Sequence, residues 1–263
     1  MWLASYVVHF RKVHWRSGAD WLYGHLLDGD LPSNHLSWQW VAATFSSKPY
    51  LFNAENVAKY APANARSVWD CRGTVVDQSY EALDELARNK GGVGPERGVH
   101  EKVDEPPLLS HFSPSNWSLD QSIHGQAAIT NIANKKLELI HPWSLSQPKS
   151  TETKNDVLRM GIIHLPAHAA WPWSERRWNF VFTAMASVTD YIWIGDLAKL
   201  DVSLGKNITA QATLFPGYRQ ALQKIATLTT PPHLLPNPSM ACRSFSKFYE
   251  RARRDAGQLA DLL

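Results

Sequence analysis

Cysteine is almost missing from this sequence: two thiols, Cys71 and Cys242, stand far apart with no Cys-x-x-Cys pairing. That argues against a disulfide framework and a thiolate zinc site, and it fits a reducing cytoplasm. Long apolar runs are missing too. The opening run Met1 to Phe10 stops at Arg11 and Lys12 and has neither a basic n-region nor a small-residue cleavage site, so it reads as a core helix and not as a leader. No stretch approaches the roughly 18 to 20 apolar residues of a membrane span, and no membrane partner is expected. Charge is nearly balanced: 27 Lys and Arg against 24 Asp and Glu leave +3, which selects no nucleic acid on charge alone. No glycine-rich phosphate loop is visible. His141-Pro-Trp-Ser and Trp171-Pro-Trp-Ser echo each other, too little to make a repeat.

What is abundant is tryptophan, 12 in 263 residues, within a 44% apolar composition able to bury one large core or two small ones. Trp2, Leu3, Tyr6, Val7 and Phe10 recur at helical spacing, in a first helix without an N-cap whose start reads as truncated. A second helix is expected from Arg16 to Leu27, with Trp21, Leu22, His25 and Leu26 as its apolar stripe and Gly29 at its end. A third begins at the cap Asp30, carries Pro32 in its first turn and runs to about Phe45. Beyond Ala61 the pattern breaks at Gly91-Gly92, Pro106-Pro107 and Pro114 around one helix near Tyr80 to Arg88. Strands are then expected at Leu137–Ile140, Leu158–Leu165, Tyr191–Ile194 and Ile208–Leu214, and helices at Ser174–Val188, Leu197–Leu204 and Tyr218–Thr227. The fold class is therefore a mainly α N-terminal segment (1–62), an irregular connector (63–134), a small parallel α/β unit (135–230), and a Pro-rich tail with a basic closing helix near Ser244–Leu259 (231–263).

The chemistry concentrates between Asp28 and Trp40. Asp28 and Asp30 sit two apart on a turn and can address different edges of one ligand. Asn34 opens the next helix with an amide that both donates and accepts. Trp38 lies one turn beyond Asn34 on the same face, whereas Trp40 is rotated by about 200° from Trp38 and looks elsewhere.

Trp15-Arg16-Ser17-Gly18, Asp28-Gly29-Asp30-Leu31, Asn34, Trp38-Gln39-Trp40 and Phe52-Asn53 follow one another in an order and spacing that resembles the late helices of the FAD-binding domain of the DNA photolyase and cryptochrome family. The resemblance implies FAD as cofactor, with Asp28, Gly29 and Asp30 at the isoalloxazine and ribityl edge and Asn34 at the flavin N5. It implies Trp38 as the indole nearest the flavin, Trp15 as the middle member of an electron relay, and Trp40 as a wall of the pocket for a flipped pyrimidine dimer. The family's reaction is electron donation from excited reduced flavin, splitting of the dimer in damaged DNA, and return of the electron.

The departures carry expectations of their own. The family's light-harvesting domain, its phosphate-binding helices, the outer relay tryptophan and the arginine that pairs with the residue matched by Asp28 would all precede Met1. Asp28 is therefore expected to lack a partner, which is costly for a buried carboxylate. Leu36 and Ser37 replace a pair of glycines common in the repair enzymes. Expressed alone, the chain is expected to bind FAD weakly or not at all and to repair no dimers.

His9, His14, His25 and His35 read as packed or surface residues, and no metal is expected. Trp171-Pro-Trp-Ser-Glu-Arg-Arg-Trp178 reads as a helix start with an arginine stacked on tryptophan. Arg243, Lys247, Arg251, Arg253 and Arg254 read as a solvated face. Three functions compete: a photolyase-like enzyme acting on damaged DNA, a cryptochrome-type photoreceptor that signals to a partner protein, and a truncated product without flavin.

Overall fold

A computed structural model describes residues 1–65, 67–89, 108–109, 135–146, 157–202, 206–231, 233 and 235–255. Most of the expected connector, including 90–107 and 110–134, lies outside the described residues.

The first helix, α1 (Trp2–Ser5), continues as a wider π turn over Tyr6–Phe10 and stops where Lys12 takes a left-handed φ of 56°. Three helices then form around side-chain caps. The imidazole of His14 accepts from the Arg16 amide at 3.3 Å to open α2 (Trp15–His25), and Asp30 accepts from the Ser33 amide at 2.8 Å to open α3 (Leu31–Val41). Asn53, the second residue of the Phe-Asn pair, accepts from the Asn56 amide at 2.9 Å to open α4 (Ala54–Tyr60). Its partner Phe52 packs with Phe10, Val57, Val76 and Leu83. The next helix, α5 (Tyr80–Arg88), has the expected bounds.

The buried face of α2 differs from the expected stripe: it is Gly18, Ala19, Tyr23 and Gly24, while Trp21 and His25 lie half-buried against each other, ring centroids 4.9 Å apart. The cause is the closeness of the neighbours. Small residues face α3, so close approach and not side-chain size decides what is buried. A Cβ on Gly18 would collide with the six-membered ring of Trp38, itself 1% exposed. The third helix ends at Val41, short of Phe45, because Ala43 turns left-handed at φ 54°.

The second layer is a parallel sheet. β2 (Lys136–Ile140) pairs with β3 (Val157–His164) and β6 (Lys206–Gln211); β3 also pairs with β5 (Tyr191–Gly195), and β6 with β7 (Thr227–Thr229), giving the order β5-β3-β2-β6-β7. The near-continuous apolar run of β3, buried from Leu158 to His164, belongs to a parallel strand covered on both faces. Its one charge, Arg159, is fully engaged by the Glu138 carboxylate at 2.8 Å and by the carbonyls of Val188 and Ser146 at 2.8 and 3.1 Å. After β3 come α6 (Leu165–Ala170), the two-residue β4 (Trp173–Ser174) and α7 (Glu175–Val188). β4 pairs antiparallel with β1 (Leu108–Leu109).

Two expectations need correction here. Of the helix expected at Leu197–Leu204, the described residues form only a 3-10 turn, Leu197–Lys199, opened by the Asp196 carboxylate. The helix expected over Tyr218–Thr227 is a five-residue α8 (Tyr218–Leu222), and the chain then re-enters the sheet at β7. The closing helix, α9, spans Phe245–Asp255. Among the described residues, no helix is long and apolar enough to cross a membrane.

The two layers meet through Tyr23 of α2, which is fully buried in the core of the sheet unit beside Trp171, Trp173, Trp178 and Phe215.

Candidate functional site

A cavity of about 340 Å³ opens between α1, the end of α2 and the start of α3. It is lined by Asp28, Gly29, Asp30, Ser33, Asn34, Ser37 and Trp38 on one side and by Met1, Leu3, Ala4, Leu22 and Leu26 on the other. The local fold explains why these side chains converge. Leu26 leaves helical geometry at ψ 120°, the Gly29 amide closes back on the Leu26 carbonyl at 3.2 Å, and Asp30 starts the new helix, so three turn residues and one helix face enclose one space.

Asn34 is nearly buried, and its Nδ2 donates to the Ala19 carbonyl at 2.8 Å. That carbonyl can only accept, so the amide is fixed with its Oδ1 as the group left to address a ligand, and as an acceptor. Trp38 stands one turn further along the same wall, with its ring laid on Gly18. Asp28 and Asp30 are both solvent-exposed at the mouth, so the expected cost of a buried lone carboxylate does not arise at Asp28. The cavity wall contains neither Lys nor Arg.

The other expected site residues lie elsewhere. Trp15 is half-buried in the same small cluster as Trp38 and meets His35 edge-on at 6.5 Å, outside the cavity lining. Trp40 is 44% exposed and packs on Tyr50 at 5.5 Å, on the far side of α3.

Ser33, which sequence reading passed over, and Ser37, read there only as a replacement of a glycine, sit at i and i+4 beside the pair Asn34 and Trp38; that shared spacing was the available signal. Arg177 was also passed over as part of this neighbourhood. It lies 2% exposed at the start of α7, and its guanidinium is sandwiched 4.0 Å over Trp173 and 4.5 Å over Tyr23. It donates to the carbonyls of Tyr23 and Gly29, the latter at 3.0 Å, immediately behind the cavity-forming turn. The stacking on tryptophan is as expected from the Trp171–Trp178 cluster. Burial pulls the Arg177 pKa down, while the Tyr23 hydroxyl and the Asp28 carboxylate act against that shift, and at neutral pH it remains a cation. Burial pushes the Tyr23 hydroxyl up.

A second polar cluster lies at the carboxyl ends of the strands. The Tyr218 hydroxyl accepts from the His164 amide and shares a hydrogen bond with Nε2 of His168, both at 2.8 Å. His141 bridges β2 and β6 by donating from Nε2 to the Gln211 carbonyl at 2.9 Å. Burial drops His141 to about 4 and His168 well below the ordinary histidine range, so these rings are neutral packing groups. Among the described residues, no group of three His, Cys, Asp or Glu is placed to hold a metal ion.

These features define a helical segment with a polar-walled cavity, docked on a parallel α/β unit. Residues 1–90 match the family described as the FAD binding domain of DNA photolyase, a domain whose cofactor is FAD. Curated relatives agree. A deoxyribodipyrimidine photo-lyase of Buchnera aphidicola is 32% identical over 73 residues, covering 22% of this chain and 15% of that protein. Proteins of the same name from Neurospora crassa and Synechococcus are 30% identical over 141 residues and 37% identical over 67 residues; the matches cover 48% and 25% of this chain, and 22% and 14% of those proteins. The chain thus spans under a quarter of the length of each of these relatives. No solved structure matches it.

The ring end of FAD fits the residues present. Polar groups of the right kind line one wall, apolar side chains line the other, and the volume sits at the lower end of the range for small-molecule sites. The pyrophosphate end finds no cation in this lining.

Proposed function

We propose that this chain belongs to a photolyase-like flavoprotein that uses FAD for blue-light-driven electron transfer to pyrimidine dimers in DNA. The observation that carries the reading is the convergence of Asp28, Gly29, Asp30, Asn34 and Trp38 on one cavity. In this reading Asp28, Gly29 and Asp30 hold the ring and ribityl edge, Asn34 accepts a hydrogen bond from the ring, and Trp15 and then Trp38 carry electrons inward to the flavin. When bound, FAD supplies the photochemistry. The protein's own contribution is orientation, exclusion of water by Leu3, Leu22 and Leu26, and an oxidisable indole at the wall. Residues 135–230 are read as a separate α/β unit that docks on the helical segment through Tyr23.

Hydrogen bonds of about 0.5 to 1.5 kcal/mol each, up to about 3 when charged, must offset at least about 4 kcal/mol of association cost, so binding through the ring edge alone is weak. With no cation in the cavity wall, the diphosphate and adenosine of FAD should add nothing to affinity. Titration of the purified chain with riboflavin and with FAD tests this. Similar, weak affinities and no dimer repair under blue light are expected of the chain as given. FAD binding more than about tenfold tighter than riboflavin would reveal a phosphate site elsewhere in the chain. Failure of both ligands to bind would remove the flavin reading.

A photoreceptor reading has one observation in its favour. Trp40, the residue assigned to the dimer pocket, packs against Tyr50 with the rings tilted by 36°, away from the cavity. Damaged DNA is the partner in the first reading and a signalling protein in the second, and loss of dimer repair in a form that retains flavin separates them.

A further inference from the structure

Arg177 is 154 residues from Tyr23 and 148 from Gly29, yet it joins both. The Tyr23 carbonyl is one of the last carbonyls of α2, which no amide of the helix fills and where a cation is favoured. The Gly29 carbonyl belongs to the turn between the two carboxylates that line the cavity. One planar fork therefore ties the end of α2 to the middle of the Asp28–Asp30 turn and takes its own support from Trp173 and Tyr23. Gly29 is what lets it come so close, since a Cβ there would lie 2.5 Å from Nη1 and 2.9 Å from Cζ. The approach needs the flat guanidinium and a missing side chain together; a lysine ammonium cannot span two carbonyls between two ring faces.

We infer that Arg177 is a positioning residue of the cavity: the α/β unit reaches across through it to hold the Asp28–Gly29–Asp30 turn in its ligand-binding shape and to place a positive charge behind the two carboxylates. This rests on the flavin reading for the identity of the ligand, but not for the hold on the turn. The arginine that the resemblance would pair with Asp28 from the preceding helices thus has a counterpart in charge, though not in contact, on the other layer.

The test uses the full chain and the substitutions Arg177→Met, which keeps the volume, Arg177→Lys, which keeps the charge, and Gly29→Ala, which displaces the guanidinium without touching its own helix. Amide hydrogen exchange is read first on the ligand-free protein. Arg177→Met should speed exchange at Leu26, Gly29, Ser33 and Asn34 by at least about tenfold, the effect of losing one charge-assisted hydrogen bond, while β2, β3 and β5 stay protected. Gly29→Ala should reproduce that pattern. Riboflavin titration should then show affinity reduced at least about tenfold in Arg177→Met and less in Arg177→Lys. The midpoint potential of the bound flavin should shift negative in Arg177→Met and stay near the parent in Arg177→Lys, which a purely structural strut would not produce. Unchanged exchange at the turn in Arg177→Met, or an equal rise across the whole sheet, overturns the inference. If the parent chain binds no riboflavin, the flavin reading falls, and the exchange pattern alone decides the role of Arg177.

Discussion

Replacing Gly18 by alanine sets two effects of opposite sign against each other. Gly18 lies in the interior of α2, where alanine is favoured by about 1 kcal/mol from helix propensity. The new methyl would lie 3.2 Å from Cε3 of Trp38 and closer still to Cζ3 and Cη2. That ring is 1% exposed and shares its cluster with Ala4, Ala19 and Val41. Overpacking of a rigid buried group costs about 1 to 3 kcal/mol. The clash should offset or exceed the gain, leaving Gly18→Ala up to about 2 kcal/mol less stable in urea unfolding. The control is Trp38→Leu, which removes the six-membered ring. In that background Gly18→Ala should become stabilising, and the cycle should show coupling of about 1 to 3 kcal/mol. If Gly18→Ala stabilises the parent chain by about 1 kcal/mol, as at an open helix site, then α2 and α3 do not pack through Gly18, and the placement of Trp38 at the cavity wall falls with it.

Acid should weaken the fold through its buried histidines. The folded-state value of His141 lies at about 4 against an ordinary 6.5, so the unfolded chain binds the proton first; stability is full above about pH 6.5 and falls as pH drops toward 4. At about 1.36 kcal/mol per pH unit, His141 alone accounts for about 3 kcal/mol, readable in urea midpoints across that window. His9, lowered chiefly by burial, acts in the same direction. Asp30→Ala should cost about 1 kcal/mol of stability through the lost cap of α3, while Asp30→Asn keeps the cap and removes only the charge; thermal melts of the two variants separate these roles. In flavin-loaded protein, Trp38→Phe should slow photoreduction strongly with flavin content nearly unchanged, since phenylalanine retains most of the packing but cannot serve as the relay; transient absorption reads this.

Local signals were legible where local chemistry decides structure. Tyr80–Arg88 is bounded as expected because Ser79 caps it, and the strands of the α/β unit appear as apolar runs because a parallel strand is buried on both faces. Thr227–Thr229 was missed because a three-residue edge strand of Thr-Leu-Thr carries too little pattern. Within the candidate site, the i and i+4 spacing brought Asn34 and Trp38 onto one wall and turned Trp40 away. The role of Arg177 could not be seen from sequence: its partners are main-chain carbonyls about 150 residues away, and a carbonyl leaves no mark on residue type. The Trp-Pro-Trp-Ser-Glu-Arg-Arg-Trp cluster announced an arginine stacked on tryptophan, but not what it would grip.

The span between Tyr23 and Arg177 also has a meaning in time. A chain made at about 5 to 20 residues per second exposes α2 on the order of ten seconds before the arginine that secures its end has been synthesised. During that interval Tyr23 has no core to enter, and the last carbonyls of α2 face water. The helical segment therefore waits on the slowest event in the molecule, the assembly of a parallel sheet from strands distant in sequence, and its turn takes final shape only when that sheet closes. Early release of the nascent chain, or a substitution that delays pairing of β2 with β6, should be felt first at the cavity and not in the sheet itself.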